Sequence, residues 1–204
     1  MMAGIGRLTM KNAATRDLYG YWDNLRAGRA APERVDIDPA AIRRVLGDTF
    51  IVEIDKARTF PFRLAGTRMC ALLGQELRGA SLLDRWAEPA ALEETVLAMS
   101  ADMTARVVSV RATTLQGHEL PLELLLLPLH HRGKANTRIL GCLTPDEAPY
   151  WIGVHPIARF DIVGVEKVVY GEAQPTKRSR STALPAGARR YGHLTLVDGG
   201  KAHA

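Results

Sequence analysis

Nucleophilic or metal chemistry in this sequence would depend on its two cysteines, Cys70 and Cys142. Both lie in apolar segments, where a reduced thiol acts as a small hydrophobic side chain. The sequence contains no CxxC pair, no Cys/His spacing of a metal site, and no GxSxG, HExxH, Walker or GxGxxG motif. We therefore predict structural cysteines, no metal site and no catalytic nucleophile.

Acid–base chemistry also lacks a suitable arrangement of side chains. Carboxylates are adjacent at Glu93-Glu94 and at Asp146-Glu147, but sequence neighbours on a helix or loop point apart, which suits solvation better than paired acid–base work. His118 falls at a predicted turn, and His130-His131 follow a predicted strand, where solvated histidines are common. The sequence therefore predicts that the protein is not an enzyme.

Basic charge is concentrated at the C-terminal end of the chain. Residues 175–204 contain six of the 27 basic and one of the 22 acidic residues, so residues 1–174 carry 21 of each sign. This tail has little periodic apolar content, which predicts disorder. No uncharged apolar run of about 18 residues and no secretory signal occur, so we expect a cytoplasmic protein without a membrane span.

Apolar spacing predicts four helical regions. Residues 11–26 repeat apolar side chains three or four positions apart, which predicts an amphipathic N-terminal helix. Asp38 can cap a short helix that Pro39 opens and that runs to Leu46. Residues 66–86 predict broken short helices, because two glycines interrupt the apolar spacing. Residues 88–104 predict a longer helix with one apolar stripe.

Alternating apolar residues predict five strands, at residues 49–55, 60–65, 106–115, 120–129 and 138–144. Their short links favour an antiparallel sheet. The strand at 120–129 is apolar on both faces, so we expect something to cover each side, and the N-terminal helix is the available cover. For residues 162–165 and 168–170 three alternatives stay open, namely a strand, a helical turn and an adhesive extension.

The order of these elements and several motifs resemble one known family. The motifs are Tyr21-Trp22, Gly28-Arg29, Pro32, Asp36-Ile37-Asp38-Pro39, Phe62-Arg63-Leu64-Ala65-Gly66-Thr67, Gly74, Leu77-Arg78-Gly79 and Trp86. Over residues 16–151 the chain resembles the alphaproteobacterial single-domain PAS-like family. The resemblance implies an α+β, PAS-like fold with a five-stranded antiparallel sheet and short helices on one face. Around it we expect the N-terminal amphipathic helix and the disordered basic C-terminal tail.

The resemblance also implies a sensory or regulatory module that is often dimeric and binds a small molecule or another protein. PAS-like domains carry haem, flavin, organic acids or no ligand. Helix 88–104 contains no histidine for a haem iron, and residues 68–73 around Cys70 lack the combination of Asn, Arg and Gln side chains that holds a flavin. We therefore predict no cofactor, and a small apolar or amphipathic ligand stays open.

Two groups of side chains are candidate site residues. A cavity between the sheet and the broken helices would be lined by apolar residues of both, namely Phe50, Phe62, Cys70, Leu73, Trp86, Met99, Val110, Leu124 and Cys142. These positions would equally form the core of a domain of this size. A homodimer interface on the N-terminal helix would use Leu18, Tyr21, Trp22 and Leu25. The alternative is that this helix caps its own sheet.

The sequence predicts five segments, namely a flexible N-terminus at 1–10, a helical cap at 11–46, a PAS-like domain at 47–151, an extension at 152–174 and the basic tail at 175–204. The predicted function is a non-enzymatic signalling module that acts by protein–protein interaction with an unidentified signalling partner. The alternative is a protein that binds nucleic acid or an anionic surface through the tail. Small basic clusters without interleaved aromatic residues disfavour that alternative.

Overall fold

The computed structural model describes residues 10–132 and 134–168, with the backbone alone at 134–137, and the backbone of two short segments at 189–191 and 194–196. The chain divides into two compact units, residues 1–171 and 172–204. Apart from Met10, the predicted flexible N-terminus lies outside the described residues. The predicted domain boundaries stay predictions.

Three α-helices form where the apolar spacing predicted them. They are α1 (Ala13–Arg26), α2 (Thr67–Leu73) and α3 (Pro89–Asp102). The Asn12 side chain caps α1 by accepting a hydrogen bond from the Ala14 backbone N–H at 2.8 Å. Helix α2 ends after two turns because Gly74 adopts the left-handed conformation, with φ +65°.

The predicted short helix at 39–46 is wrong. Residues 39–45 form a succession of turns, followed by a single 3-10 turn at Leu46–Asp48. The Asp38 carboxylate accepts a hydrogen bond from the Ala40 backbone N–H at 2.9 Å. Such a local side-chain contact supports a turn as readily as a helix start, so the capping signal did not distinguish the two.

The sheet has six antiparallel strands rather than the predicted five. In chain order they are β1 (Thr49–Glu53), β2 (Phe62–Ala65), β3 (Arg106–Thr114), β4 (Glu119–His131), β5 (Lys134–Pro145) and β6 (Ile157–Lys167). Their spatial order is β2-β1-β5-β4-β3-β6. Strand β6 includes residues 162–165, for which a strand was one of the open alternatives, and it pairs with the otherwise free edge of β3. Register shifts at two points of this pairing explain why β6 lacks a clean alternation of apolar residues. Residue 168 follows β6 outside any strand, and residues 169–170 lie outside the described residues.

Both faces of the sheet are buried, as the leucine run in β4 predicted. Leu122, Leu124 and Leu126 belong to the core under α2, α3 and the loop between them. Leu125, Leu127 and Leu129 point to the opposite face, where α1 packs through Leu18 and Trp22. The prediction that both faces are covered is confirmed, and α1 covers the sheet of its own chain.

The second unit contains two described strands, β7 (Arg189–Tyr191) and β8 (Leu194–Leu196), which pair antiparallel. The sequence did not predict this pair, because the tail shows only short apolar stretches. The prediction of disorder for the rest of residues 175–204 lies outside the described residues. Among the described residues, no helix has the length and apolar character to cross a membrane.

Candidate functional site

A small cavity lies between the inner face of the sheet and the short helices. Its volume is about 30 Å³. The lining side chains come from β1, β2, β4, β5, β6 and the segment 69–86, and are Phe50, Phe62, Met69, Leu73, Gln75, Leu77, Ala80, Ser81, Leu82, Asp84, Arg85, Trp86, Leu124, Leu143 and Phe160. The structure therefore brings together five of the predicted lining residues: Phe50, Phe62, Leu73, Trp86 and Leu124.

Four predicted lining residues do not reach this cavity. Met99 and Val110 belong to the same core but pack away from the space. Cys70 is half-buried at the edge of that core, with its Sγ 3.9 Å from a carboxylate oxygen of Glu76. The prediction that Cys142 lines the cavity is wrong by one strand position. Side chains alternate between the two faces along β5, so Cys142 lies on the α1 face and Leu143 lies at the cavity instead.

Two pairs of aromatic rings are part of the cavity lining. The Phe50 and Phe62 rings meet edge to face with centroids 5.5 Å apart, and the Trp86 and Phe160 rings lie 5.1 Å apart. The Phe50 ring lies over Gly141 on the neighbouring strand, where a Cβ atom would come within 2.0 Å of the ring. The absence of a side chain at Gly141 is therefore what lets Phe50 fill the interior.

The cavity is far smaller than an ordinary cofactor pocket. Ligand pockets usually measure about 300–1,000 Å³, whereas the volume here of about 30 Å³ is near the share of one liquid water molecule. A haem or a flavin does not fit between these side chains. The predicted absence of a cofactor stays a prediction.

Arg85 at the rim of the cavity was missed by sequence analysis. Its guanidinium donates hydrogen bonds to the backbone oxygen of Leu73 at 3.1 Å, to Gln75 Oε1 at 3.0 Å and to the backbone oxygen of Ile157. It thereby joins the end of α2 to the start of β6. A polar residue in a loop carries no periodic signal, so the sequence could not distinguish it from a solvated arginine.

Phe160 of β6 was also missed. Its backbone N–H donates to the oxygen of Arg85 at 2.8 Å, and its backbone oxygen accepts from Ala87 N–H at 2.9 Å. Strand β6 therefore lies between β3 on one side and residues 85–87 on the other. The apolar side chain of Phe160 could have been recognised only if this segment had been assigned as a strand.

Nucleophilic or metal chemistry at the described residues would depend on the Cys142 thiol or on a cluster of metal-binding side chains. Burial raises the pKa of the Cys142 thiol, so the reactive thiolate is disfavoured. No group of three or more His, Cys, Asp or Glu side chains converges on a metal position within the described residues.

Asp102 at the end of α3 has a strongly shifted pKa with a structural cause. Partial burial alone would raise it, but hydrogen bonds from Arg106 and Lys167, at 2.6 and 2.9 Å, outweigh burial and lower the pKa to about 2. This carboxylate connects α3 to β3 and β6.

The predicted interface residues lie in an intramolecular cap. Leu18 and Trp22 are fully buried against the sheet, and Tyr21 and Leu25 are half-buried at its margin. Trp22 Nε1 donates to the backbone oxygen of Pro128 at 2.9 Å. A fully buried side chain cannot touch a partner, so Trp22 does not serve as a surface anchor in this structure. The homodimer itself stays a prediction.

Glu123 on β4 holds the start of α1 to the sheet. This nearly buried carboxylate accepts hydrogen bonds from the backbone N–H groups of Lys11 at 2.8 Å and Asn12 at 3.2 Å, and from the Thr15 hydroxyl. A negative charge at a helix N-terminus is favourable because it compensates unpaired N–H groups. The cap is therefore fixed at one end by Glu123 and further along by Trp22.

An antiparallel sheet with short helices on one face and a helical cap on the other defines the PAS class of sensory and signalling domains. The chain belongs to the PAS domain family, whose model matches residues 10–144. The family resemblance inferred from the sequence is thereby confirmed, whereas the alphaproteobacterial origin stays a prediction. The matched region ends before β6.

Comparison with solved structures finds a similar chain described as "Structure of an RNA-binding Light-Oxygen-Voltage Receptor". The two chains are 19% identical, with a TM-score of 0.42, and the match covers 52% of this chain and 33% of that chain. This chain thus spans about a third of the length of that receptor. No curated protein matches the sequence.

Proposed function

We propose that this protein is a non-catalytic regulatory PAS module that transmits its signal by contact with another protein. The observation that carries the proposal is the filled interior. The cavity between Phe50, Phe62, Trp86 and Phe160 measures about 30 Å³, which is too small for a metabolite-sized ligand at that place in the core. A change of state must then be received and read mainly at the surface.

Among the described residues, the most exposed apolar side chains that lie in neighbouring loops are found in the β3–β4 turn and the loop at 146–156. Leu115, Tyr150 and Val154 are exposed by 87%, 92% and 68%, and we call these three residues the loop patch. The two loops are adjacent, because the ring of His118 in the turn stacks on Trp151 in the loop at 5.3 Å. Large exposed apolar side chains close together favour a protein contact.

The proposed partner is a protein with an apolar contact surface, and the partner can be a second copy of this chain or an unidentified signalling protein. A nucleic acid is disfavoured at the loop patch, since no Lys or Arg is part of it. A ligand-dependent version of the function would require the aromatic side chains to separate first.

The proposal is tested by comparing two surface variants in the native cell. Tyr150→Ser with Val154→Ser removes most of the loop patch, whereas Val35→Ser removes a side chain that is 84% exposed in a different segment. We expect a crosslinked partner, or the dimer, to be recovered with wild type and with Val35→Ser but lost with the double variant. Equal recovery with the double variant would contradict the surface proposed here.

Native mass spectrometry of the wild-type protein tests whether the interior holds a ligand. The expected mass is that of the polypeptide or its dimer. A stoichiometric organic molecule that survives purification would show that the interior opens for a ligand, and would overturn the argument from the filled core.

A further inference from the structure

Two histidines that are far apart in the sequence lie side by side at one end of the sheet. The ring centroids of His118 and His155 are 5.2 Å apart, with an interplanar angle of 34°. His118 belongs to the β3–β4 turn, and His155 belongs to the loop between β5 and β6. No hydrogen bond or ion pair joins either imidazole to another described residue, so their ring nitrogens are available.

Trp151 fixes the positions of both histidines. Its indole, which is only 6% exposed, stacks on the His118 ring at 5.3 Å and 18°, and its backbone oxygen accepts a hydrogen bond from His155 N–H at 3.0 Å. The backbone N–H of His118 donates to Thr114 Oγ1 at 3.1 Å. The His118 ring and the backbone of His155 are therefore held by a buried core residue, and the His155 ring packs on that of His118.

The spacing of the two rings suits a shared metal ion. Imidazole nitrogens bind Zn²⁺ at about 2.0–2.1 Å, and two rings on one tetrahedral ion then have centroids roughly 5 Å apart. We infer that His118 and His155 bind one late first-row divalent metal ion, for which imidazole is the preferred neutral ligand. Since no group of three or more metal-binding side chains converges within the described residues, water completes the coordination shell.

A site with two protein ligands is open and exchangeable, which distinguishes it from a structural zinc site. Its occupation would join the β3–β4 turn to the loop that leads into β6. This inference departs from the prediction of no metal site, because the pair is formed by the fold and has no signature in the sequence spacing. It does not depend on the proposed protein contact.

Titration of the full chain with Zn²⁺ in a calorimeter, after removal of metals with a chelator, tests the inference. Wild type is expected to bind one ion per chain at this site. His118→Ala and His155→Ala are each expected to weaken that binding roughly tenfold or more. The matched control is His130→Ala, because His130 lies at the end of β4 and is not part of the pair.

A second measurement on the wild type avoids any folding defect caused by removing the ring stacked on Trp151. Traces of paramagnetic Cu²⁺ should broaden the amide NMR signals of residues 114–119 and 151–156 before all others. Broadening confined to the tail, which contains His193 and His203, would overturn the inference. Zn²⁺ affinities that are unchanged in folded His118→Ala and His155→Ala variants would overturn it too.

Discussion

Phe160 packs on Trp86 with ring centroids 5.1 Å apart and an interplanar angle of 36°. Trp86 lies within the region matched to the PAS family, whereas Phe160 follows that region by more than ten residues. A strand outside the matched region thus completes the core of the domain. Because β6 is also hydrogen-bonded to residues 85–87, it is an integral part of the fold rather than an appended strand.

The first prediction is that β6 is required for folding. A chain that ends at Trp151 loses Ile157 and Phe160 from the core and uncovers the edge of β3. Loss of a buried aromatic side chain alone costs about 3–5 kcal/mol, so we expect no cooperative thermal unfolding. The control ends at Gly171 and should melt like the full chain; a cooperative melt of the shorter chain would contradict the prediction.

The second prediction concerns the basic tail. Since residues 1–174 carry equal numbers of basic and acidic residues, binding to a polyanion should come from the tail and weaken with salt by counterion release. We expect weak retention of the full chain on heparin at low salt and no retention of the chain that ends at Gly171. Equal retention of both chains would place the polyanion contact in the domain.

The third prediction is that Gly141→Ala destabilises the protein by about 1–3 kcal/mol, the usual cost of overpacking a core. The added Cβ would lie 2.0 Å from the Phe50 ring. The matched control is Gly20→Ala in α1, where nothing lies within 4 Å, and helix propensity predicts a neutral or stabilising change of about 0.5–1 kcal/mol. Chemical denaturation measures both, and Phe50→Leu should recover part of the loss in Gly141→Ala.

The fourth prediction is that Trp22→Ala lowers the free energy of unfolding by about 3–5 kcal/mol, because the side chain is fully buried in the cap. Tyr21→Ala, at a half-buried neighbouring position, should cost clearly less. Light scattering of the same samples shows whether α1 caps its own sheet or forms a homodimer interface. If the wild type is a dimer and Trp22→Ala is a folded monomer of unchanged stability, α1 covers a partner's sheet instead of its own.

The fifth prediction concerns acid stability through Asp102. Its pKa is lowered from 3.8 to about 2, so its contribution to stability is fully present above about pH 4 and is lost as the pH falls towards 2. Asp102→Asn should therefore lower stability at pH 6 and lose most of that difference near pH 2, measured by urea unfolding. Asp17→Asn, at an exposed position, serves as the control. A difference that persists undiminished to pH 2 would contradict the role of the ionised carboxylate.

The sequence by itself determined the class of fold and much of its interior. The uninterrupted leucines of β4 required cover on both faces, and the apolar spacing of α1 supplied one of the covers. Strong periodic patterns of this kind predict which faces are buried, because burial of apolar area is the dominant favourable contribution to folding. The motif around Phe62 and Gly66 was specific enough to indicate the PAS family.

Tertiary structure decided what depends on contacts between distant residues. Cys142 and Leu143 differ by one strand position, and only the register of β5 determines which of them meets the cavity. The sixth strand had no periodic signal because its register with β3 is interrupted. The approach of His118 to His155 has no counterpart in sequence spacing, since two loops from different parts of the chain must first meet on Trp151.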